Sequence, residues 1–529
     1  IGLRIAAVGH FVVSGTVDIV KDRARQPFPG HAPELLHVVA MFEFHFQIRD
    51  NPFAAPSLWR KPSGRQFATL PKVLSSAIGC QIDLAMNPDR SSVSDAAIDN
   101  VTEYVQGIRP NIGQFAQQLL QVFFVGLTIG MQRNVVPALA ESEFGVPAAS
   151  FTLLMAFVVS FGFVKGAMNF VSGRVSEKVG RRKVLIWGWL VALPIPFIFL
   201  YAPSWNWIVA ANVLLGINQG FAWSMTVTSK LDIVRPEQRG VATGFNEFAG
   251  YGGVALAGLI TGYLATLFDP RTSLFVFGLA VILLALASAL LFSRETIHWA
   301  HAESAAHKAG THEGPRPRFP KNVSEHPSTR EIFALVSYRH RTFSALSQAG
   351  CVEKFVDALV WVFFPLYHGA QGLSLIDIGW VVGVYGFVWG GSQLWTGPLS
   401  DAVGRKWPIV IGMWTCAAGI ASTLYVDGMT GWSMTAAITG VGMALLYPTL
   451  IAAVGDISHP SWRGSSLGVY RFWRDLGYGV GALALGMIAD AFGTLEAGFW
   501  FTVVAMILSG LWVAFAMDET LASINPESN

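Results

Sequence analysis

The sequence predicts an all-α membrane protein with twelve transmembrane helices in two pseudo-symmetric six-helix bundles. Three observations support this fold class. Hydrophobic residues make up 52% of the 529 residues and charged residues only 13%, about half the share that is usual for soluble domains. Apolar runs of membrane-spanning length follow one another through most of the chain. The second group of six runs repeats the first at a fixed offset.

The charge balance and the cysteine count exclude several classes of protein. Lys and Arg number 36 and Asp and Glu 34, which gives a net charge of +2. Nucleic-acid-binding proteins concentrate basic residues on one face, so we expect no nucleic acid partner. The three cysteines are scattered and form no disulfide framework or metal motif. We find no nucleophile, metal or cofactor constellation and no Walker A sequence, and therefore expect neither an enzyme nor a cofactor.

Residues 1–112 differ from the rest of the chain. Their apolar stretches are short and are broken by charge and proline. None reaches the roughly 20 apolar residues that a spanning helix needs, and we find no chemical motif in them. They fit either a small cytosolic domain or an upstream extension that is not native protein, and we favour the second interpretation.

Twelve apolar runs then continue to Met517, and each is long enough to cross about 30 Å of hydrocarbon. The predicted spans 1 to 12 are 114–139, 150–171, 183–202, 207–229, 241–265, 272–293, 343–367, 376–396, 407–426, 433–455, 465–490 and 496–517. We expect an N-terminal bundle at 113–293, a cytoplasmic linker at 294–342, a C-terminal bundle at 343–517 and a tail at 518–529.

The loop charges predict the orientation. Nearly all loop Lys and Arg residues follow spans 2, 4, 8 and 10 or lie in the central loop, whereas the opposite loops carry only Arg271. The positive-inside rule then puts both termini and the central loop in the cytoplasm, and the compact loops favour a bacterial inner membrane. The central loop contains His298, His301, His307, His312 and His326 at irregular spacing, so we interpret it as a solvated linker, with a short interfacial helix at 330–338.

The two halves are related by one constant difference in residue number, which we call the repeat offset. Asp232–Gly240 aligns with Asp456–Gly464, and Val179-Gly180-Arg181 aligns with Val403-Gly404-Arg405 at the same offset. This repeat implies two bundles of the same topology related by an axis along the membrane normal. Such an arrangement places a binding site between the halves, near the bilayer midplane.

Two copies of one motif lie in this repeat. The sequence is GRVSEKVGRR from Gly173 and GPLSDAVGRK from Gly397. Both copies resemble the motif G-x-L-x-D-x-x-G-R-[RK] that follows spans 2 and 8 in the major facilitator superfamily, with Glu177 where the family usually has Asp. The resemblance covers about residues 114–517. It implies a secondary active transporter that works by alternating access, and we expect a monomer in the lipid bilayer.

The motif residues have physical roles that the resemblance places at a cytoplasmic latch. Glycine lets one helix end approach its neighbour closely, and a carboxylate can face a helix N-terminus or accept from an arginine. The resemblance implies that this cluster closes the cytoplasmic side in the outward-facing state. A generic basic loop that sets topology is the alternative. The predicted gating residues here are Gly173, Glu177, Gly180, Arg181, Arg182, Gly397, Asp401, Gly404, Arg405 and Lys406.

Charged residues inside spans are costly, so each is a functional candidate. Span 7 carries Glu353, Lys354 and Asp357, and span 1 carries Arg133. In the family, spans 1, 4, 7 and 10 line the central cavity. We therefore predict that Arg133 faces Asp357 or Glu353 and that one of these carboxylates carries a proton. A permanently paired structural ion bridge is the alternative.

Spans 5 and 11 lie at the seam between the halves in this family. Glu247 and Arg471 are separated by the repeat offset, and Arg474 and Asp475 follow in span 11. We predict ion pairs between the halves that break and re-form, with pairing of Arg471 to Asp475 inside span 11 as the alternative. Lys165 in span 2 is expected to extend toward the headgroups.

Span 4 completes the predicted substrate and proton pathway with Asn218, Gln219 and Trp223. Proton-coupled family members often show R-x-x-Q-G here, but Gly216 stands at the arginine position. In span 5, residues 250–253 resemble the exporter motif G-P-x-x-G-G without its proline. We expect a proton-coupled exporter of a small molecule. The alternatives are a proton symporter that imports an organic anion or another metabolite, and a non-transporting receptor on a transporter scaffold.

Overall fold

The computed structural model describes residues 104–132, 135–145, 151–311, 315, 317–321, 323–324 and 327–525. All of these belong to one unit, Ser91–Asn529. The predictions for residues 1–103, for Arg133 and for His312 and His326 concern positions outside the described residues. The description below therefore concerns the predicted bundles, the linker and the start of the tail.

The described part of the chain is helical and contains no strand, and its long helices coincide with the predicted spans. In the N-terminal half, span 1 comprises Ile112–Gly130 and Val135–Phe144, span 2 is Phe151–Val179, span 3 comprises Arg181–Ala192 and Pro194–Tyr201, span 4 is Trp205–Ile233, span 5 is Arg239–Leu267 and span 6 is Pro270–Phe292.

The C-terminal half has the same order. Span 7 comprises Arg341–Ala358, a π-helical turn at Leu359–Phe363 and Phe364–Ala370. Span 8 is Leu375–Val403, span 9 is Lys406–Thr423, span 10 is Gly428–Ile457, span 11 is Arg463–Phe492 and span 12 is Glu496–Ala516.

The helix bounds repeat at the offset that the sequence predicts. Both ends of span 8 follow those of span 2 at the repeat offset, and spans 10 and 11 follow spans 4 and 5 in the same way to within a single position. Across the seam, span 2 packs on span 11 and span 5 packs on span 8. The two halves are therefore copies of one arrangement, as predicted for this fold class.

The outer surface is apolar. Eight of the described helices are long and apolar enough, by length and composition, to cross a membrane. Large apolar side chains such as Leu259, Leu291, Phe387 and Phe515 are exposed on the helices. Exposed apolar surface on this scale is typical of contact with lipid tails, and the chain is accordingly a multi-pass membrane protein.

The central linker is more ordered than the sequence suggested. A linker helix spans Ile297–Ala309 and buries Ile297, Ala300 and Glu303 on one face. The interpretation of a solvated linker is wrong for this helix, because residues at three-residue spacing form a buried face although the segment as a whole is polar and rich in histidine. The short helix predicted at 330–338 is present as Thr329–Ala334 with a π turn to Arg339.

Candidate functional site

The three charged side chains of span 7 are fully buried and lie together. Lys354 Nζ is 2.8 Å from Asp357 Oδ2 and 3.8 Å from Glu353 Oε1. Residues three apart on a helix share a face, which explains the first contact. The π-helical turn of span 7 begins two residues after Asp357, and such turns are frequent at functional sites.

The two carboxylates of span 7 have unequal surroundings. The second oxygen of Asp357 accepts a hydrogen bond of 2.8 Å from the Tyr385 hydroxyl in span 8. Glu353 Oε1 lies 3.1 Å from Arg474 Nε in span 11, without the alignment of a hydrogen bond. Glu353 Oε2 has no hydrogen-bond partner among the described residues. Each oxygen of Asp357 thus accepts a hydrogen bond, whereas Glu353 is stabilised only by the nearby positive charges.

Aromatic rings surround the cations of this cluster. Lys354 Nζ lies 3.8 Å from the ring centre of Tyr447 and 4.7 Å from that of Tyr478, and the Arg474 guanidinium is 3.9 Å from the Tyr447 ring. Cations over aromatic faces are stabilised by the ring quadrupole. Tyr447 also bonds across the seam, since its hydroxyl is 3.1 Å from that of Tyr251 in span 5.

An ion pair joins the two halves near this cluster. Lys165 Nζ of span 2 is 3.5 Å from Asp475 Oδ2 of span 11, and Asn169 Nδ2 donates to the same oxygen at 2.6 Å. Lys165 is buried, so the expectation that it extends to the headgroups is wrong. Because Asp475 supplies a buried counter-charge, the Lys165 ammonium does not need to extend to water to be stabilised.

The predicted pairings of Glu247 and Arg471 are not formed in this conformation. Glu247 Oε1 accepts from Trp223 Nε1 at 3.1 Å and from Asn246 Nδ2 at 2.8 Å, all within the N-terminal bundle. Arg471 has no ion pair within 4 Å among the described residues. Neither its pairing with Glu247 nor its pairing with Asp475 is seen.

The polar residues of span 4 bond within the N-terminal bundle. Asn218 Nδ2 donates to the backbone carbonyl of Gly188 in span 3 at 2.9 Å. Gln219 Nε2 donates to the Val125 carbonyl and the Thr128 hydroxyl of span 1 at 3.2 and 3.1 Å. Such bonds hold helices together in a membrane. Trp223 instead donates to Glu247 of span 5, a helix that packs at the seam.

At the cytoplasmic end, the motif carboxylates cap helices of the opposite half. Glu177 accepts from the Ser465 backbone N–H at 2.7 Å and from its hydroxyl at 2.6 Å, at the start of span 11. Asp401 accepts from the N–H groups of Gly240 and Val241 at 2.8 and 2.7 Å, at the start of span 5. Carboxylates at helix N-termini are stabilised by unpaired N–H groups and by the helix dipole.

The motif glycines make this approach possible. A Cβ at Gly173 would collide with the backbone carbonyl of Gly464, and one at Gly397 would collide with that of Gly240. Gly180 and Gly404 have φ of 97° and 94°, a conformation that favours glycine. The turns they form let Glu295 and Glu519 accept from the first N–H groups of spans 3 and 9.

A buried charge network completes the cytoplasmic closure. Within the halves, Arg181 Nε is 3.1 Å from Asp232 and Arg405 Nε is 3.0 Å from Asp456. Across the halves, Arg463 lies 3.4 Å from Asp232 and Arg239 lies 3.2 Å from Asp456. Of the other two predicted gating cations, Arg182 donates to the carbonyl of Leu290 in span 6 at 2.7 Å, and Lys406 donates its backbone N–H to Glu519.

Glu303 of the linker helix lies between the two cross-bundle arginines. It accepts from Arg463 at 2.7 Å and from Arg239 at 3.3 Å. Burial alone would raise the pKa of this carboxyl, but Arg463 and Arg239 outweigh burial and lower the pKa to about 2. The sequence does not single out Glu303, because the polar composition of its linker predicts a solvated segment.

Sequence reasoning also missed several partners that the repeat could have shown. The repeat offset relates Glu295 to Glu519, and it also relates Thr296 to Thr520, whose hydroxyls contact Asp232 and Asp456. The aromatic partners Tyr385 and Tyr478 carry no such signal, since nothing in their sequence distinguishes them from packing residues.

Comparison with known proteins identifies the family. The profile of the Major Facilitator Superfamily matches residues 119–352 and 346–528. The chain is 25% identical to an uncharacterized MFS-type transporter of Methanocaldococcus jannaschii and 26% identical to citrate exporter 1 of Aspergillus niger. These alignments cover 31% and 38% of this chain, and they span only 42% and 40% of the two relatives.

Matches over a larger share of the chain are also to transporters of this kind. An uncharacterized MFS-type transporter of Salmonella typhimurium is 21% identical over 70% of this chain and 88% of its own length. The human organic anion transporter MFSD10 superposes with a TM-score of 0.62 at 15% identity, over 76% of this chain and 99% of its own. The proton:xylose symporter XylE gives 0.61 at 15% identity, over 78% and 99%. With its duplicated motif and its two matching bundles, the chain belongs to the major facilitator superfamily of membrane transporters.

Proposed function

We propose that this chain is a secondary active transporter of a bacterial inner membrane that exports a small organic compound in exchange for protons. Its membership of a transporter family supports transport rather than catalysis. One relative is named a citrate exporter, which supports export. The loop charges support an orientation with the latch on the cytoplasmic side.

The observation that best supports proton coupling is the burial of Glu353 without hydrogen-bond partners. Its carboxylate is fully buried and faces Arg474 at 3.1 Å, and neither of its oxygens has a hydrogen-bond partner among the described residues. Burial and a neighbouring cation act in opposite directions on the protonation of a carboxyl group. A carboxylate that is enclosed in one conformation and reachable from water in another can take up a proton on one side and release it on the other.

Alternating access supplies the second conformation. The cytoplasmic side of the seam is closed by Glu177, Asp401 and the arginine network. For the halves to rock, these contacts and the Lys165–Asp475 pair must break. Asp357, whose oxygens are both occupied by Lys354 and Tyr385, is assigned a positioning role for Lys354 rather than proton transfer.

The experiment is proton movement in proteoliposomes that contain a pH dye, with a panel of organic acids, amines and neutral drugs added outside. Export in exchange for protons, running in reverse, moves protons outward as the compound enters. We therefore expect the lumen to become alkaline, and we expect Glu353→Gln to abolish this change. Glu496→Gln is the matched control, because it removes an exposed carboxylate at the start of span 12.

Other outcomes select other functions. Acidification of the lumen that is lost in Glu353→Gln means proton symport, and so import of the compound. Entry of the compound without any pH change, in wild type and variant alike, overturns proton coupling. Specific binding without entry would contradict transport and indicate a receptor.

A further inference from the structure

Arg471 of span 11 differs from every other buried arginine in the described part of the chain. Its exposed fraction is 1%, and Nε, Nη1 and Nη2 all lack a hydrogen-bond partner among the described residues. The remaining five buried arginines each form an ion pair within 4 Å; they are Arg181, Arg239, Arg405, Arg463 and Arg474.

The acidic groups near Arg471 already have other partners. Asp475, one turn farther along span 11, accepts from Asn169 at 2.6 Å and lies 3.5 Å from Lys165. Glu247 accepts from Trp223 and Asn246. No carboxylate of the described residues forms an ion pair with the Arg471 guanidinium within 4 Å. The five donors of this side chain therefore have no acceptor from the described protein.

A buried guanidinium without hydrogen-bond acceptors is unfavourable inside a membrane protein, and arginine does not shed its charge in proteins. A membrane-embedded cation of this kind is a functional candidate with a partner to be found. Arg471 lies at the seam between spans 2 and 11, where Asn169 Nδ2 approaches the Arg471 carbonyl at 3.5 Å. Transporters that are built from repeats bind their substrates at the interface between the repeats, and Arg471 lies at that interface.

We propose that Arg471 binds the carboxylate of a small organic anion at the seam between spans 2 and 11. This inference rests on the proposed function, because it names the substrate class of that transporter. The planar guanidinium fork matches the two oxygens of a carboxylate.

The proposed site lies where the two halves differ in charge. The repeat offset places Glu247 in the N-terminal bundle at the position equivalent to Arg471, and its first oxygen is occupied by two donors of its own bundle. The guanidinium donors without an acceptor therefore occur in the seam between spans 2 and 11 and have no equivalent in the seam between spans 5 and 8. A bound carboxylate would face Lys165 and Asn169 of the opposite half and would join the halves while it is bound.

The test is binding to the purified full-length protein, measured by isothermal titration and by the shift in unfolding temperature. The probes are benzoate, succinate, citrate, inorganic phosphate and a neutral sugar. At least one carboxylate should bind, and Arg471→Gln should weaken it about 10- to 100-fold, as expected for loss of a charge-assisted pair. Arg471→Lys, which keeps the charge without the fork, should weaken it less. Arg294→Gln removes an exposed arginine and is the matched control.

The unfolding temperature of the Arg471 variants without ligand distinguishes a ligand-binding arginine from a structural one. If Arg471 binds a ligand, ligand-free Arg471→Gln should unfold at the same temperature as wild type or higher, since the substitution removes buried donors that have no acceptor. A marked fall would mean that Arg471 has a structural partner, and the proposal would be wrong. Binding of phosphate alone, or carboxylate binding unchanged in both Arg471 variants, would also overturn it.

The two proposals fail in different ways. Carboxylate binding that depends on Arg471, without flux or pH change in proteoliposomes, would leave the anion site intact and contradict proton-coupled transport. Proton-coupled flux of amines or neutral compounds only, unaffected by Arg471→Gln, would support transport and overturn the anion site.

Discussion

The molecule has two packed seams, span 2 against span 11 and span 5 against span 8. They are equivalent by the internal repeat, and their cytoplasmic ends are chemically similar. Glu177 caps span 11 as Asp401 caps span 5. Gly173 approaches the backbone of Gly464 as Gly397 approaches that of Gly240. In each seam, a motif carboxylate and a motif glycine of one half therefore meet the helix start of the other half.

Toward the midplane the equivalent positions diverge. Lys165 and Asp475 form an ion pair at 3.5 Å in one seam, and the equivalent residues in the other seam, Trp389 and Tyr251, form an aromatic pair with ring centres 4.2 Å apart. Closure is thus duplicated, whereas the chemistry of the centre is not. Symmetric gating needs the same contacts twice, but one bound substrate needs only one set of recognising groups.

The largest expected effect comes from breaking the duplicated network. Arg463→Gln leaves Asp232 and Glu303 short of a buried counter-charge, and Arg239→Gln does the same to Asp456 and Glu303. Removing one partner of a buried ion pair costs about 3 to 5 kcal/mol. We expect both variants to lower the unfolding temperature of the purified protein by similar amounts, as measured by intrinsic fluorescence on heating.

The comparison supplies its own control. Arg294→Gln removes an exposed arginine and should leave the unfolding temperature nearly unchanged. A large loss in one of the two network variants and none in the other would contradict the equivalence of the two cytoplasmic ends.

The next effect concerns Glu303, which belongs to the linker and has no counterpart among the described residues. Its pKa is lowered from an ordinary value of 4.5 to about 2, a shift equivalent to about 3 kcal/mol of stability. Because the pKa is lower in the folded state, this contribution is fully present above about pH 4.5 and is lost as pH falls toward 2. Glu303→Gln should therefore unfold at a lower temperature than wild type at neutral pH.

The pH dependence distinguishes an ion pair from simple packing. The gap in unfolding temperature between wild type and Glu303→Gln should narrow at about pH 3. A gap that stays constant from neutral pH to acid would show that the substitution acts through shape rather than charge. Glu496→Gln, at an exposed position, should show no such gap at any pH.

Much of the fold follows from the sequence, whereas the site follows only in part. The repeat offset predicted the duplicated helices and the motif residues that meet at the cytoplasmic end. It could not predict which charges would pair at the midplane, because Lys165, Arg471 and Arg474 all lie near several carboxylates. Small differences in helix rotation and in competing donors, such as Asn169 toward Asp475, decide that choice. Those differences arise from tertiary packing and leave no periodic signal.

A smaller effect is expected from filling the close approaches of the latch. Gly173→Ala and Gly397→Ala each place a methyl group against the backbone of the opposite half, which costs about 1 to 3 kcal/mol in a packed contact. The cost falls on the closed cytoplasmic state only, so both variants should shift the population toward the inward-open state. Thiol labelling of a cysteine introduced at Ser400, which is buried beside Gly397, would measure this for Gly397→Ala.

The matched control is Gly391→Ala in span 8, where a Cβ meets nothing within 4 Å. Its labelling rate should equal that of the parent protein. A rise in labelling for Gly391→Ala as large as that for Gly397→Ala would mean that helix flexibility, rather than closure, controls access.

The smallest expected effect separates the aromatic seam from the charged one. Tyr251→Phe removes the 3.1 Å contact between the Tyr251 and Tyr447 hydroxyls but keeps the ring that packs on Trp389. Loss of one neutral hydrogen bond costs about 1 kcal/mol, so the unfolding temperature should fall slightly. Tyr263→Phe, at an exposed position of the same span, should leave it unchanged.

Asp475→Asn, at the equivalent position of the charged seam, should lower the unfolding temperature more, because it leaves Lys165 buried without its counter-charge. Equal losses in Tyr251→Phe and Asp475→Asn would mean that the two seams contribute alike at the midplane, and that their different chemistry does not mark one of them for the substrate.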